Sequence, residues 1–332
     1  MVPLIKVVDG EATSEALMNI ANHIAFYTSE EVKKRAREGT LGKALGRKGE
    51  TGDRMKSGDE IADEVIADIL PGYLEQGIGP AFVYSEEKGV YVLGEGGRGF
   101  FVIVDPLDGS NNLRKGVLYP FISISVALGN MSDVHGNDTF SAIRVGVVRD
   151  IFNHRTYSAT RDTGFAYVDD ALEPDFRELR TYDEDPSRIR VETATELEEA
   201  VLGVDLDKDK DENPEEMKER LDKLSELMKD KLCQRRLGSS ILDFCKVAAG
   251  EYDAFISIGG RMKLHDLAAA KLIVEEAGGI FDVSGGYPGN LVEHIFKNDP
   301  ADANKALKES RYKVIAAANP VIYGKIKGCV EF

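Results

Sequence analysis

The stretch from Phe100 to Ser110, FFVIVDPLDGS, constrains the fold of this chain more than any other. Phe100–Val104 is an unbroken run of aromatic and β-branched residues bounded by Pro and Gly, which predicts a buried strand. The run delivers two acids, Asp105 and Asp108, to one strand end. Pro106 fixes its own φ and is expected to end the strand, and Gly109 permits the sharp turn that follows. Two unit negative charges about 4 Å apart repel by ~1 kcal/mol in water and by about 4 kcal/mol at an effective dielectric of 20. Such a pair either keeps one acid protonated or takes a cation between its members. Hard oxygen ligands at a turn suit Mg²⁺, which binds one or two carboxylates together with waters and substrate phosphate. Asp, Pro and Gly are also ordinary turn formers, so the choice falls to the rest of the chain.

With 332 residues the chain can hold one large domain or two mid-sized ones. Its net charge of −16 argues against a nucleic-acid polymer as partner, because phosphate backbones are bound by clustered Lys and Arg. An anionic small molecule could bind only where local Arg, Lys or metal reverses the field. No run approaches 18 apolar residues and no basic segment precedes an apolar one at the start, so neither a membrane span nor a signal peptide is expected. The three cysteines, Cys233, Cys245 and Cys329, show no CxxC spacing; reduced thiols in a cytoplasmic protein are expected.

Apolar positions at helical spacing predict a long helix within 11–38, followed by a basic loop from Gly39 to Gly58 that holds Arg47, Lys48, Arg54 and Lys56. A capping-box pattern at Ser57–Glu60 opens a second helix that Pro71-Gly72 is expected to stop, with Asp59 in its first turn. Ala81–Tyr84 reads as a short strand running into Glu86 and Glu87. Strands over 121–128, 141–149, 154–160 and 164–167 give this half an antiparallel character. The polar, proline-containing stretch 169–187 is taken as the boundary between an N-terminal α+β domain, 1–180, and a C-terminal α/β domain, 181–332. Beyond it, strands at 188–192, 201–204, 254–258 and 314–318 alternate with helices at 215–232, 240–250 and 266–277. Asp266 sits where an N-cap is expected, and Gly238-Ser239-Ser240 opens a helix just after Arg235-Arg236.

Ser85-Glu86-Glu87, Asp105-Pro106-Leu107-Asp108-Gly109-Ser110 and His265-Asp266-Leu267-Ala268-Ala269 together resemble the inositol monophosphatase superfamily, and the basic segment Gly259-Gly260-Arg261-Met262-Lys263 resembles its archaeal-type enzymes acting on fructose 1,6-bisphosphate and inositol 1-phosphate. The hallmarks are a Glu-Glu pair, a D-P-[IL]-D-G-[ST] strand end and a later W-D-x-A-A/G helix start. The resemblance runs from about residue 12 to 328 and takes in the segments 237–254 and 318–320. It implies a layered αβαβα sandwich of α+β or α/β class and Mg²⁺-dependent phosphomonoester hydrolysis, with two or three ions per site and Mn²⁺ as an alternative. It also implies a homodimer. Carried over by position, Glu87, Asp105, Asp108, Asp266 and the Leu107 carbonyl are the expected metal ligands. Glu87, Ser110 and Asp59 are the expected catalytic groups.

Asp108, Gly109, Ser110, Gly238 and Ser239 are expected to meet substrate, and Arg235, Arg236, Arg261 and Lys263 to bind a second phosphate. Two departures from the pattern stand out. His265 replaces the usual Trp before the aspartate, which is expected to alter packing more than chemistry. The acid that reads substrate hydroxyls in many inositol phosphatases has no counterpart at Gly259 or Ser257. A 3′-phosphoadenosine 5′-phosphate phosphatase is the alternative enzyme, and a noncatalytic phosphometabolite sensor the alternative outside enzymology.

Overall fold

The computed structural model describes residues 3–8, 10–38, 44–48, 54–56, 61–96, 98–115, 121–170, 185–191, 196, 198–207, 212–229 and 233–330. Two short strands, β1 (Val7–Val8) and β2 (Glu11–Ala12), precede helix α1 (Ser14–Arg37). Thr13 caps α1, its Oγ1 accepting from Ala16 N at 3.2 Å. The predicted stripe Ala16, Leu17, Ile20, Ala21, Ile24 and Ala25 is buried. Where a basic loop was expected, β3 (Ala44–Lys48) and β4 (Arg54–Lys56) pair antiparallel; cross-strand pairing overrides the polar pattern. Helix α2 (Ile61–Leu74) continues through Pro71. A proline near the last turn removes only its own N–H, its carbonyl still accepts from Glu75 N, and burial of Leu70 and Tyr73 on either side holds the turn.

The first sheet contains β5 (Ala81–Ser85), β6 (Gly89–Leu93), β7 (Phe100–Asp108), β8 (Ser123–Asn130), β9 (Val145–Asp150), β10 (Arg155–Thr160), β11 (Ala166–Asp170) and β12 (Arg188–Ile189), with helix α3 (Ser110–Lys115) after β7. The spatial order is β12-β11-β10-β9-β8-β7-β5-β6. Its neighbours pair antiparallel except β5 and β7, which run parallel with Ser85 opposite Val104. Helices α1 and α2 cover one face, closing a core of Leu17, Ile20, Ile24, Ile66 and Leu70 against Val102, Val104, Ile124 and Val126.

The remaining elements are β13 (Val201–Val204), α4 (Pro214–Met228), β14 (Cys233–Arg235), α5 (Ser240–Ala248), β15 (Ala254–Met262), α6 (Leu264–Glu276), β16 (Ile280–Gly285), α7 (Leu291–Lys297), α8 (Pro300–Glu309), β17 (Tyr312–Ala317) and α9 (Pro320–Val330). They form a second, mixed sheet in the order β14-β13-β15-β17-β16. Helices α5 and α6 lie between the two sheets, and α4 and α9 cover the outer face through Leu224, Leu227, Ile322 and Ile326. The layers therefore read αβαβα, as expected. The middle helix α6 approaches β9 closely: a Cβ on Gly146 would lie 2.9 Å from Ala269 O and 3.0 Å from Ala269 Cα. The small run Ala268–Ala270 is what permits this approach.

Candidate active site

Three residues apart on a regular strand, Asp105 and Asp108 would point to opposite faces. The ladder between β7 and β8 is irregular between these two positions, where Asp105 pairs with Ser125 and Asp108 with Ser123. Pro106 does not end the strand, which runs to Asp108; it lies within the irregularity, where a residue without an N–H is tolerated. Asp105 Oδ1 accepts from Leu107 N at 3.0 Å. The turn itself needs glycine, since Gly109 has φ +83° and a Cβ there would come within 2.7 Å of Phe121 O.

Asp108 is held from the second half of the chain. Its Oδ2 accepts from Ser239 Oγ at 2.6 Å and from Ile241 N at 2.9 Å. Ser239 also caps α5 and lies 3.2 Å from Ser123 Oγ. Beside it, Asn112 Nδ2 donates to Leu237 O at 2.8 Å and Phe121 O at 3.0 Å, tying the two loops together. The start of α5, expected to hold substrate phosphate, thus already has an anion on it. Ser239 is fully buried, and its hydroxyl is engaged by the Asp108 carboxylate.

Asp266 is the third residue of α6, not its cap; its Oδ2 accepts from Lys263 N at 2.7 Å. One residue earlier, His265 is buried with Nδ1 2.7 Å from the Tyr84 hydroxyl. Its Nε2 lies 3.7 Å from Glu86 Oε1 and 3.6 Å from Asp266 Oδ1. Glu86 N donates to Val104 O, continuing the parallel register of β5 and β7 and setting Glu86 beside Asp105. Both acids lie in the turn after β5, and the Glu86 N to Val104 O bond fixes Glu86 at the end of the β5–β7 ladder. Of the Glu-Glu pair it is Glu86 that shares a potential ion-binding group with Asp105 and His265, their ligand atoms all within 4.8 Å of one another. Glu87, the residue expected from the sequence, is buried outside that group.

Electrostatics mark this cluster as strained without a counter-charge. Burial, then the charges of Asp108 and Asp266, push the Asp105 carboxyl well above its ordinary range. Burial pushes Asp108 and Asp266 up to about 6; Asp266 adds to the effect on Asp108, and Asp205 to that on Asp266. Four carboxylates converging with one imidazole are a donor set that fits a divalent cation.

The expected basic patch is already paired. Arg261 Nη1 lies 2.9 Å from Asp207 Oδ2 and its Nε 3.6 Å from Asp205 Oδ2, while Arg236 also pairs with Asp207. Partial burial would raise Asp207, yet Arg261 and Arg236 hold its carboxyl below the usual range. Lys263 turns its amine to the carbonyls of Leu307 and Lys308 at the end of α8. Arg235 is exposed and donates to Gln234 O. Ser110 opens α3, and Asp59 lies outside the described residues. Sequence reasoning missed Asp205 and Asp207, which lie in an acidic stretch that carries no motif.

The chain matches the model of the inositol monophosphatase family over residues 14–323. It is 29% identical over 275 residues to a fructose-1,6-bisphosphatase/inositol-1-monophosphatase of Methanothermobacter thermautotrophicus, covering 82% of this chain and 83% of that one. It is also 28% identical over 255 residues to a bifunctional NADP phosphatase/NAD kinase of Methanococcus maripaludis, covering 73% of this chain but only 39% of that longer protein. Among solved structures, the extragenic suppressor protein suhB of Bartonella henselae superposes with a TM-score of 0.64 at 24% identity, over 95% of this chain and 98% of that one. Among the described residues, no helix is long and apolar enough to cross a membrane. The chain belongs to the inositol monophosphatase family and is, with it, a hydrolase of phosphate esters.

Proposed function

We propose that this protein is a Mg²⁺-dependent phosphomonoesterase acting on a sugar or polyol phosphate, with fructose 1,6-bisphosphate or inositol 1-phosphate as substrate. The observation that carries the reading is the convergence of Asp105, Asp108 and Asp266, acids that burial and mutual repulsion push toward protonation. Glu86, Asp105, Asp108, Asp266 and the Leu107 carbonyl are the groups we assign to hold the ions. Bound there, two or three ions would lower the pKa of a coordinated water and offset the charge of the phosphate.

The chain's own contribution is orientation. Leu107 N, Ser239 Oγ with Ile241 N, and Lys263 N each donate to one acid, so the carboxylates keep their direction as substrate enters and product leaves. We assign Ser110, directly after the Gly109 turn, to orient the attacking water, with Asp59 as its partner. Asp205, Asp207, Arg236 and Arg261 combine acceptors and donors, a surface suited to the hydroxyls and the second anionic group of a sugar phosphate. The activities for which the archaeal relatives are named agree with a phosphate-ester substrate.

Phosphate release should be measured with Mg²⁺ on fructose 1,6-bisphosphate, inositol 1-phosphate, 3′-phosphoadenosine 5′-phosphate and NADP⁺. Turnover of either of the first two, lost on adding chelator, is the expected result. Preference for a nucleotide would overturn the substrate class, and turnover insensitive to chelator would overturn the metal mechanism.

A further inference from the structure

At the position where the family pattern has Trp, this chain places an imidazole against the acids, and its environment is that of a ligand more than of a packing residue. His265 is buried, and the group its Nε2 faces is the carboxylate cluster. Separations of about 3–4 Å are those between two donors on one ion with bonds of roughly 2.0–2.2 Å. The 3.7 Å to Glu86 Oε1 and 3.6 Å to Asp266 Oδ1 fall in that range. The opposite ring nitrogen is fixed as metal-bound histidines require, by a hydrogen-bonding partner beyond the ion. That partner is Tyr84, whose hydroxyl lies 2.7 Å from Nδ1.

A tyrosine hydroxyl can both donate and accept, so it serves two tautomers. Either Nδ1 accepts from the hydroxyl and Nε2–H faces the carboxylates, or Nδ1–H would donate to the Tyr84 oxygen and leave the Nε2 lone pair for an ion.

We propose that His265 is a metal ligand, binding through Nε2 an ion shared with Glu86 and Asp105, and that this nitrogen moves the site's preference from Mg²⁺ toward first-row transition ions. Mg²⁺ favours all-oxygen surroundings, whereas imidazole favours transition metals. The inference rests on the metal-dependent reading above and departs from the expectation that His265 alters packing more than chemistry.

The test uses the full chain stripped by chelator and reloaded with Mn²⁺, and reads binding by calorimetry and the ligand nitrogen by electron spin echo spectroscopy. A single ¹⁴N coupling is expected in the wild type and is lost in His265→Gln. Mn²⁺ affinity should fall about 10–100-fold in that variant, with Mg²⁺ affinity changed less than about 2-fold. Tyr84→Phe, which removes one oxygen, should keep the coupling and weaken Mn²⁺ binding. Saturable Mn²⁺ binding without ¹⁴N coupling in the wild type would overturn the ligand assignment while leaving metal dependence intact. Absence of saturable binding of either ion would overturn both.

Discussion

Ser239 stands 131 residues from Asp108, yet its hydroxyl donates to Asp108 Oδ2 at 2.6 Å. The same oxygen caps α5 by accepting from Leu242 N at 3.4 Å. One side chain therefore starts a helix in the middle layer and aims a carboxylate on the first sheet. Removing the hydroxyl in Ser239→Ala should cost about 1–2 kcal/mol of stability through the lost cap. It should also weaken Mg²⁺ binding by about 10-fold, as loss of a group that orients a ligand does. Urea unfolding in chelator separates the first effect from the second, which titration calorimetry reads.

Asp105→Asn removes the most deeply buried acid of the cluster. Activity should drop by at least about a thousandfold. Thermal stability in chelator at pH 8 should rise, because the amide does not repel Asp108 and Asp266. A loss of both activity and stability would show that the acid holds the fold and not an ion.

The pH dependence follows from the direction of the shifts. Asp108 and Asp266, at about 6 in the folded chain, keep protons that unfolded carboxyls have released near 4. Folding takes up protons in that window, so these groups make stability fall as pH rises from about 4 to 6. In chelator the melting temperature should be lower at pH 8 than at pH 5 on their account. Mg²⁺ should raise it at pH 8, by several degrees at saturation, and have little effect at pH 5.

Asp207 neutralises two arginines at the edge of the site. If the patch meets a second phosphate, Asp207→Asn releases Arg236 and Arg261 toward it. KM for fructose 1,6-bisphosphate should then fall about 5-fold, with a smaller change for inositol 1-phosphate. A rise in both KM values would instead assign Asp207 to substrate hydroxyls.

Asp243, on the buried side of α5, is pushed up to about 8 by burial, with Asp108 and Asp205 adding to it. Its Oδ1 is enclosed with no hydrogen bond among the described residues. Stability lost by this acid accumulates as pH rises from about 4 to 8. In chelator, Asp243→Asn should be more stable than wild type by about 1–2 kcal/mol at pH 8, with the gap closing by pH 4.

Much of the architecture is legible locally. The Phe100–Val104 run, the apolar stripe of α1 and the strand at Val201–Val204 each announce themselves through periodicity or β-branched content. The acids Asp105, Asp108 and Asp266 are legible for the same reason, lying at element ends marked by Pro, Gly or a helix start. What was not legible depends on partners distant in sequence. Whether Glu86 or Glu87 faces the cluster depends on how the turn after β5 is tied to β7. That Arg236 and Arg261 are neutralised depends on Asp207, a residue of an acidic stretch with no motif of its own. That the Ser239 hydroxyl donates to Asp108 depends on a residue of another sheet, which no local pattern around 238–240 announces.

The close approach of Gly146 to Ala269 has a consequence for how this site can change. Helix α6 carries His265 and Asp266, and its standoff from the first sheet is limited at that contact, by two residues outside the acid cluster. The bore of the site is gauged there, like a spacer between two plates. A single methyl group on Gly146 would lift one wall of donors from the other without altering any of them. Adaptation to a larger or smaller ion, or a bulkier ester, is thus open to this chain through its glycines and alanines while its acids stay unchanged.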